Sequence, residues 1–126
     1  MSKGAKILIV DDEAHIRLLI AQTLEELEDQ GVTIFNAEDG EQALAIVKHE
    51  HPSLVFLDVM MPKLNGFDTC EQIKRELGMK DITVVLLTAK GQEFDRERGN
   101  NAGADLYMTK PFDPDELLAV ATRVVG

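Results

Sequence analysis

The sequence predicts an α/β fold: a parallel, five-stranded sheet with helices on both faces. Three observations carry this. Short β-type runs alternate with helical patterns five times along the 126 residues. The better runs are apolar on both sides, as strands buried between two helix layers must be. Polar residues collect directly after the runs, and strands of a parallel sheet all end on the same edge. The length is one domain's worth of chain and can bury a sizeable core without disulfide or metal staples. We read residues 1–126 as one domain, with no output domain in this chain.

Lys6–Val10 is a nearly continuous apolar run and predicts the first strand. Ile16, Ile20, Leu24 and Leu27 are spaced i+4, i+4, i+3, one face of a first helix. Val32–Phe35 is a shorter strand ending at Asn36. Asp39-Gly40-Glu41 opens a second helix with Ala43, Leu44 and Val47 inward, and Leu54–Leu57 is the third strand. Asn65 is an N-cap, with Asp68 three residues on, for a third helix that turns Phe67, Cys70, Ile73 and Leu77 inward and stops at Gly78. Ile82–Leu87 is the fourth strand. Gln92–Asn101 has Phe94 as its single anchor and reads as a marginal, exposed helix, the kind of element that moves. Asp105–Met108 is the weakest strand; Asp113-Pro114 then caps a last helix carrying Leu117, Ala121 and Val124.

Composition excludes several classes. Apolar residues make up 44% and charged residues 29%, against disorder or a fibrous chain. Cys70 is the single cysteine, so neither an internal disulfide nor a cysteine-based zinc site can form. The lysines near the start lack the apolar stretch of a signal peptide, and no apolar run reaches transmembrane length. A cytoplasmic setting is expected. With 13 Lys+Arg against 23 Asp+Glu the net charge is -10. Such a chain repels phosphate backbones and anionic lipid, so direct nucleic-acid or membrane binding is not expected, whereas divalent cations and basic partner surfaces are favoured.

The chemistry gathers on the edge where the strands end. Asp11-Asp12-Glu13 follows the first run, Asp58 the third, Thr88-Ala89-Lys90 the fourth and Thr109-Lys110-Pro111 the fifth. Three aspartates packed together raise one another's pKa unless a cation intervenes. Hard oxygen donors with room for water suit Mg²⁺. Helix capping explains Asp12 or Glu13 equally well, but not Asp58 and Lys110. Asp58, alone at the end of an apolar strand, can be a metal ligand, a general base or a nucleophile towards phosphorus. Lys110 is a point charge suited to an anionic oxygen, or simply a surface lysine. A cis Lys110–Pro111 bond would aim Lys110 inward, although only about 5–6% of X-Pro bonds are cis.

These residues resemble the receiver domains of two-component response regulators. The likeness rests on Asp11-Asp12-Glu13, Asp58-Val59-Met60-Met61-Pro62 with Gly66, Thr88-Ala89, Gly103-Ala104-Asp105 with Tyr107, and Lys110-Pro111-Phe112, in the right order and over essentially the whole chain. The resemblance implies a flavodoxin-like, doubly wound (βα)5 fold with sheet order 2-1-3-4-5. It implies that Asp58 accepts a phosphoryl group from a sensor histidine kinase or phosphotransfer protein. It implies Mg²⁺, with Mn²⁺ as a substitute, on Asp12, Asp58 and the Met60 carbonyl, and Asp11 reaching the ion directly or through water. Thr88 and Lys110 would each take a phosphoryl oxygen, and Thr88 and Tyr107 would form the switch. Segment 92–101, the last strand and the last helix would then dock a downstream effector or output domain. Such a chain is a self-catalysed phosphoacceptor with autodephosphorylation rather than a turnover enzyme. Tyr107 as an ordinary edge-strand aromatic stands beside that reading.

Rivals come from other classes. A flavodoxin-like FMN electron carrier needs a phosphate-binding loop where Asp11-Asp12-Glu13 stands, and the chain has no tryptophan. An aspartate phosphohydrolase places its nucleophile after the first strand and adds a cap domain. A receiver-like binding module that is never phosphorylated would not need Asp58, Thr88 and Lys110. His49 and His51 project from different faces and read as a solvated helix end; His15 reads as a surface residue and Cys70 as a small core group.

Overall fold

The computed structural model describes residues 4–61, 64–89 and 100–125. In chain order the elements are β1 (Lys6–Val10), α1 (Ala14–Thr23), α2 (Glu25–Asp29), β2 (Thr33–Ala37), α3 (Gly40–Glu50), β3 (Leu54–Asp58), α4 (Gly66–Glu71) running into a π-helical turn (Gln72–Glu76), β4 (Thr83–Ala89), β5 (Leu106–Lys110) and α5 (Pro114–Val125). The five strands form one sheet of order β2-β1-β3-β4-β5, and every pairing is parallel. The expected helix over 92–101 falls outside the described residues except for its last two, and so do Pro62 and Lys90.

Strand alternation divides the core into two layers. Ile7, Ile9, Phe56, Val85 and Leu87 point to one face, where Ile20, Leu27, Leu117 and Ala121 of α1, α2 and α5, with Leu24 at the junction of α1 and α2, cover them. Leu8, Val10, Val55, Leu57 and Leu86 point to the other, under Ala43, Val47, Phe67, Cys70 and Ile73. Burial on both sides is what the continuous apolar runs required. Buried groups of this kind each contribute about 1.5–3 kcal/mol of transfer free energy.

Several boundaries differ from the sequence reading, each for a local reason. The first helix breaks at Leu24, whose amide donates to the carbonyls of Ile20 and Ala21 before α2 begins. The Thr23 hydroxyl bonds back to the Leu19 carbonyl at 2.9 Å, the side-chain competition that often bends a helix end. The third helix opens as expected, with the Asn65 side chain accepting from the Asp68 amide at 2.9 Å. It then widens into the π turn, where the Leu77 amide reaches Gln72 rather than Ile73. In α5 the buried positions are Leu117, Val120, Ala121 and Val125, with Val124 only half-buried. The fourth and fifth strands run further than the apolar runs, so Thr88 and Lys110 lie inside β4 and β5 instead of after them. Ladder hydrogen bonds carry a strand past its last apolar residue. His51 is not merely solvated: it ends α3 in the left-handed conformation, and its Nε2 lies 2.9 Å from Asp81 Oδ2.

Candidate functional site

The ends of β1 and β3 are neighbours, because Val10 pairs with Leu57. That register brings the loop after β1 against Asp58. Asp11 is fully buried and Asp58 is 4% exposed. Two buried carboxylates side by side need a counter-charge, and Lys110 provides it: Nζ lies 3.0 Å from Asp11 Oδ2 and 3.3 Å from Asp58 Oδ1. The Lys110–Pro111 peptide bond is cis. Asp11 Oδ1 accepts the Glu13 amide at 2.9 Å, and Asp58 Oδ1 accepts the Met60 amide at 3.2 Å.

Electrostatics single out Asp58. Burial, and next the charge of Asp11, push its carboxyl up to about 7 despite Lys110 and the Met60 amide. Burial pulls the Lys110 ammonium down, but the Asp11 hydrogen bond and the Asp58 charge outweigh it and hold it above its ordinary value. Asp58 is thus poised between acid and carboxylate near neutral pH, a state that a second cation would resolve towards the carboxylate.

Carboxylate oxygens of Asp11, Asp12 and Glu13 lie within 4.8 Å of one another, with Asp11 buried and the other two exposed. All are hard oxygen donors, two of them open to water, which fits a hydrated Mg²⁺. Asp58 is not one of these three; it is linked to Asp11 by the Lys110 ammonium that the two share. Glu13 was not among the ligands expected from the sequence, and its position in the cluster adds a donor. Met60 follows directly on this edge and is 59% exposed.

The hydroxyl of Thr88 is buried on β4 and donates to the Met108 carbonyl at 3.4 Å, a weak bond. Tyr107 is half-buried on β5, and its hydroxyl donates to Asn100 Oδ1. Gly66 is required by close approach: a Cβ there would collide with the Asp58 carbonyl oxygen and come within 2.8 Å of Val59 Cα. The start of α4 therefore rests on the backbone of Asp58. His15 is exposed, as expected, with Nε2 3.5 Å from Glu13 Oε2. Cys70 is buried against the Ala102 carbonyl, and burial pushes its thiol up to about 12, the state of an unreactive core group.

Two basic residues carry roles the sequence did not reveal. Arg17 of α1 donates to the Asp11 carbonyl at 2.6 Å. Lys74, in the π turn, is buried and pairs with Asp105 at 2.8 Å while donating to the Lys80 and Ile82 carbonyls. A helical position alone says nothing about which backbone a long side chain will reach.

An edge of buried aspartates bridged by a lysine, on a 2-1-3-4-5 parallel sheet, defines a receiver. Residues 7–122 match the response regulator receiver domain family, and the chain belongs to it. It is the receiver domain of a two-component response regulator. It is 41% identical over 117 residues to Protein PilG of Pseudomonas aeruginosa, covering 93% of this chain and 84% of that protein. It is 46% identical over 114 residues to the alkaline phosphatase synthesis transcriptional regulatory protein PhoP of Bacillus subtilis, covering 90% of this chain and 45% of that one. The chain thus spans about half the length of the curated transcriptional regulators it matches. Chemotaxis response regulator CheY4 of Vibrio cholerae superposes with a TM-score of 0.82 at 32% identity, covering 95% of this chain and 98% of that one. The family typically binds Mg²⁺ at its acidic pocket. Among the described residues, no helix is long and apolar enough to cross a membrane.

Proposed function

We propose that Asp58 accepts a phosphoryl group from a phosphohistidine of a sensor histidine kinase or phosphotransfer protein in a Mg²⁺-dependent reaction. The observation that carries this reading is the single ammonium of Lys110 shared between Asp11 and Asp58, at the site where Asp58 is held near neutrality. An Asp58 oxygen attacks phosphorus. The bond from phosphorus to the imidazole nitrogen breaks, and its electron pair stays on that nitrogen, which takes a proton. Water later attacks the same phosphorus, the bond from phosphorus to the Asp58 oxygen breaks, and inorganic phosphate leaves, which returns Asp58 to the carboxylate. Asp11, Asp12, Asp58 and the Met60 carbonyl would hold Mg²⁺, which would supply charge neutralisation for the transferring group. Lys110 leaves Asp58 to pair with a phosphoryl oxygen, which gives it a stronger acceptor while it keeps Asp11. Thr88, weakly held on Met108, turns its hydroxyl towards another.

The switch uses the same parts. As Thr88 turns, Tyr107 exchanges its Asn100 partner for the vacated space, and the surface of β5 and α5 repacks for an effector protein or an output domain. The chain serves either as a stand-alone regulator or as part of a longer one, and this domain does not itself bind nucleic acid. Intact-mass measurement after acetyl phosphate with Mg²⁺ tests the reading. One added phosphoryl group is expected, absent in Asp58→Asn and in excess chelator; an unmodified wild-type chain overturns it.

A further inference from the structure

We propose that Arg17 is a positioning residue that grips the cation-binding loop from behind and so sets its Mg²⁺ affinity. Four bonds hold Asp11. Its amide donates to the Ala37 carbonyl at 3.2 Å, Oδ1 accepts the Glu13 amide and Oδ2 accepts Lys110. The remaining atom, the backbone carbonyl, accepts Arg17 Nη1 at 2.6 Å. The other arm of the guanidinium, Nη2, lies 3.8 Å from Glu38 Oε1, just past β2. Arg17 thus ties α1, the loop after β1 and the end of β2 together with a side chain only 15% exposed. A charge-assisted bond to a buried carbonyl is among the stronger neutral–ion contacts, and it is costly to leave that carbonyl unpaired.

The direction of the grip matters. The guanidinium contacts a backbone oxygen, so it occupies none of the carboxylate oxygens of Asp11, Asp12 and Glu13. It holds the loop that carries all three while leaving them to a cation. Lysine could replace the charge but not the two-armed fork.

This inference rests on reading the acidic edge as a Mg²⁺ site. The test is a calorimetric Mg²⁺ titration of wild type, Arg17→Met and Arg17→Lys, with urea unfolding of each in chelator. Arg17→Met keeps the aliphatic stem and removes the donor; Mg²⁺ should bind it about ten-fold more weakly, the usual cost of losing an outer-shell support. Arg17→Lys keeps charge and packing, and carries the test alone if the methionine variant fails to fold; a loss of about three-fold is expected from its single donor. In acetyl phosphate reactions the half-saturating Mg²⁺ concentration should rise while the rate at saturating Mg²⁺ stays near wild type. Folded variants with wild-type Mg²⁺ affinity overturn the inference, leaving Arg17 a structural residue. Tighter Mg²⁺ binding also overturns it, because removing a mere nearby positive charge would have that sign. A wild-type chain that takes up no Mg²⁺ overturns the reading of the site itself.

Discussion

Replacing Asp58 with Asn should stabilise the metal-free protein, and by an amount that depends on pH. Asn keeps the shape and an oxygen for the Met60 amide but removes a buried charge. The carboxyl sits at about 7 in the fold against an ordinary 3.8. A raised carboxylate pKa means the folded state binds the proton more tightly than the unfolded chain does. Stability therefore falls as pH rises from the unfolded value towards the folded one, and the full cost is present above it. At about 1.36 kcal/mol per unit, ionising Asp58 costs roughly 4 kcal/mol at pH 8 but only about 1.5 kcal/mol at pH 5. Lys110 does not blur the comparison. Its raised pKa contributes stability that is complete below 10.5 and lost only as pH climbs through the folded value. The assay is urea unfolding of wild type and Asp58→Asn in chelator at both pH values. The advantage of the variant should grow by about 2–3 kcal/mol from pH 5 to pH 8. Saturating Mg²⁺ should then stabilise wild type far more than the variant, because a ligand that binds the folded state raises its stability by mass action. An advantage that is equal at the two pH values would refute the account of Asp58 as a strained, buried carboxylate.

Other perturbations probe neighbouring parts. Met60 is exposed two residues after Asp58, and a thioether is a poor partner for an attacking water; Met60→Asn should speed decay of the acyl phosphate roughly five- to ten-fold, a small part of what a general base contributes, and unchanged decay by mass spectrometry would remove Met60 from control of the lifetime. Gly66→Ala places a Cβ against the backbone of Asp58; it should cost about 2 kcal/mol or more by the overpacking it forces and lower acetyl phosphate labelling, and wild-type behaviour in both assays would contradict the close approach. Lys74→Met removes donors from Asp105, Lys80 and Ile82; about 2–3 kcal/mol of stability should be lost with Mg²⁺ affinity unchanged, since those partners flank the opposite ends of β4 and β5.

Sequence and tertiary structure hold different kinds of information about this chain. Periodicity located β1, β3 and β4 because burial on both faces leaves a residue no choice but to be apolar. Capping residues located the starts of α3 and α4, because Asp39 and Asn65 accept amides three residues ahead, wholly within their own segments. The ends were less legible: Thr88 and Lys110 are polar residues that the ladder holds in strand conformation, so the apolar runs understate β4 and β5.

The site divides in the same way. That Asp11, Asp12, Asp58, Thr88 and Lys110 fall on one edge was legible because parallel strands deliver the residues at their C-terminal ends to the same side of the sheet, whatever the details of packing. The π turn after α4, the grip of Arg17 on Asp11, the Lys74–Asp105 pair and the hold of Asn100 on Tyr107 depended on tertiary structure. Each joins groups brought together by neighbouring elements, or sets the pitch of a helix by the surface beneath it, and a long polar side chain carries no mark of which carbonyl or carboxylate it will meet. Local patterning is written in the chain because each residue answers to its own neighbours; partnership across the fold is decided only when packing sets the distances.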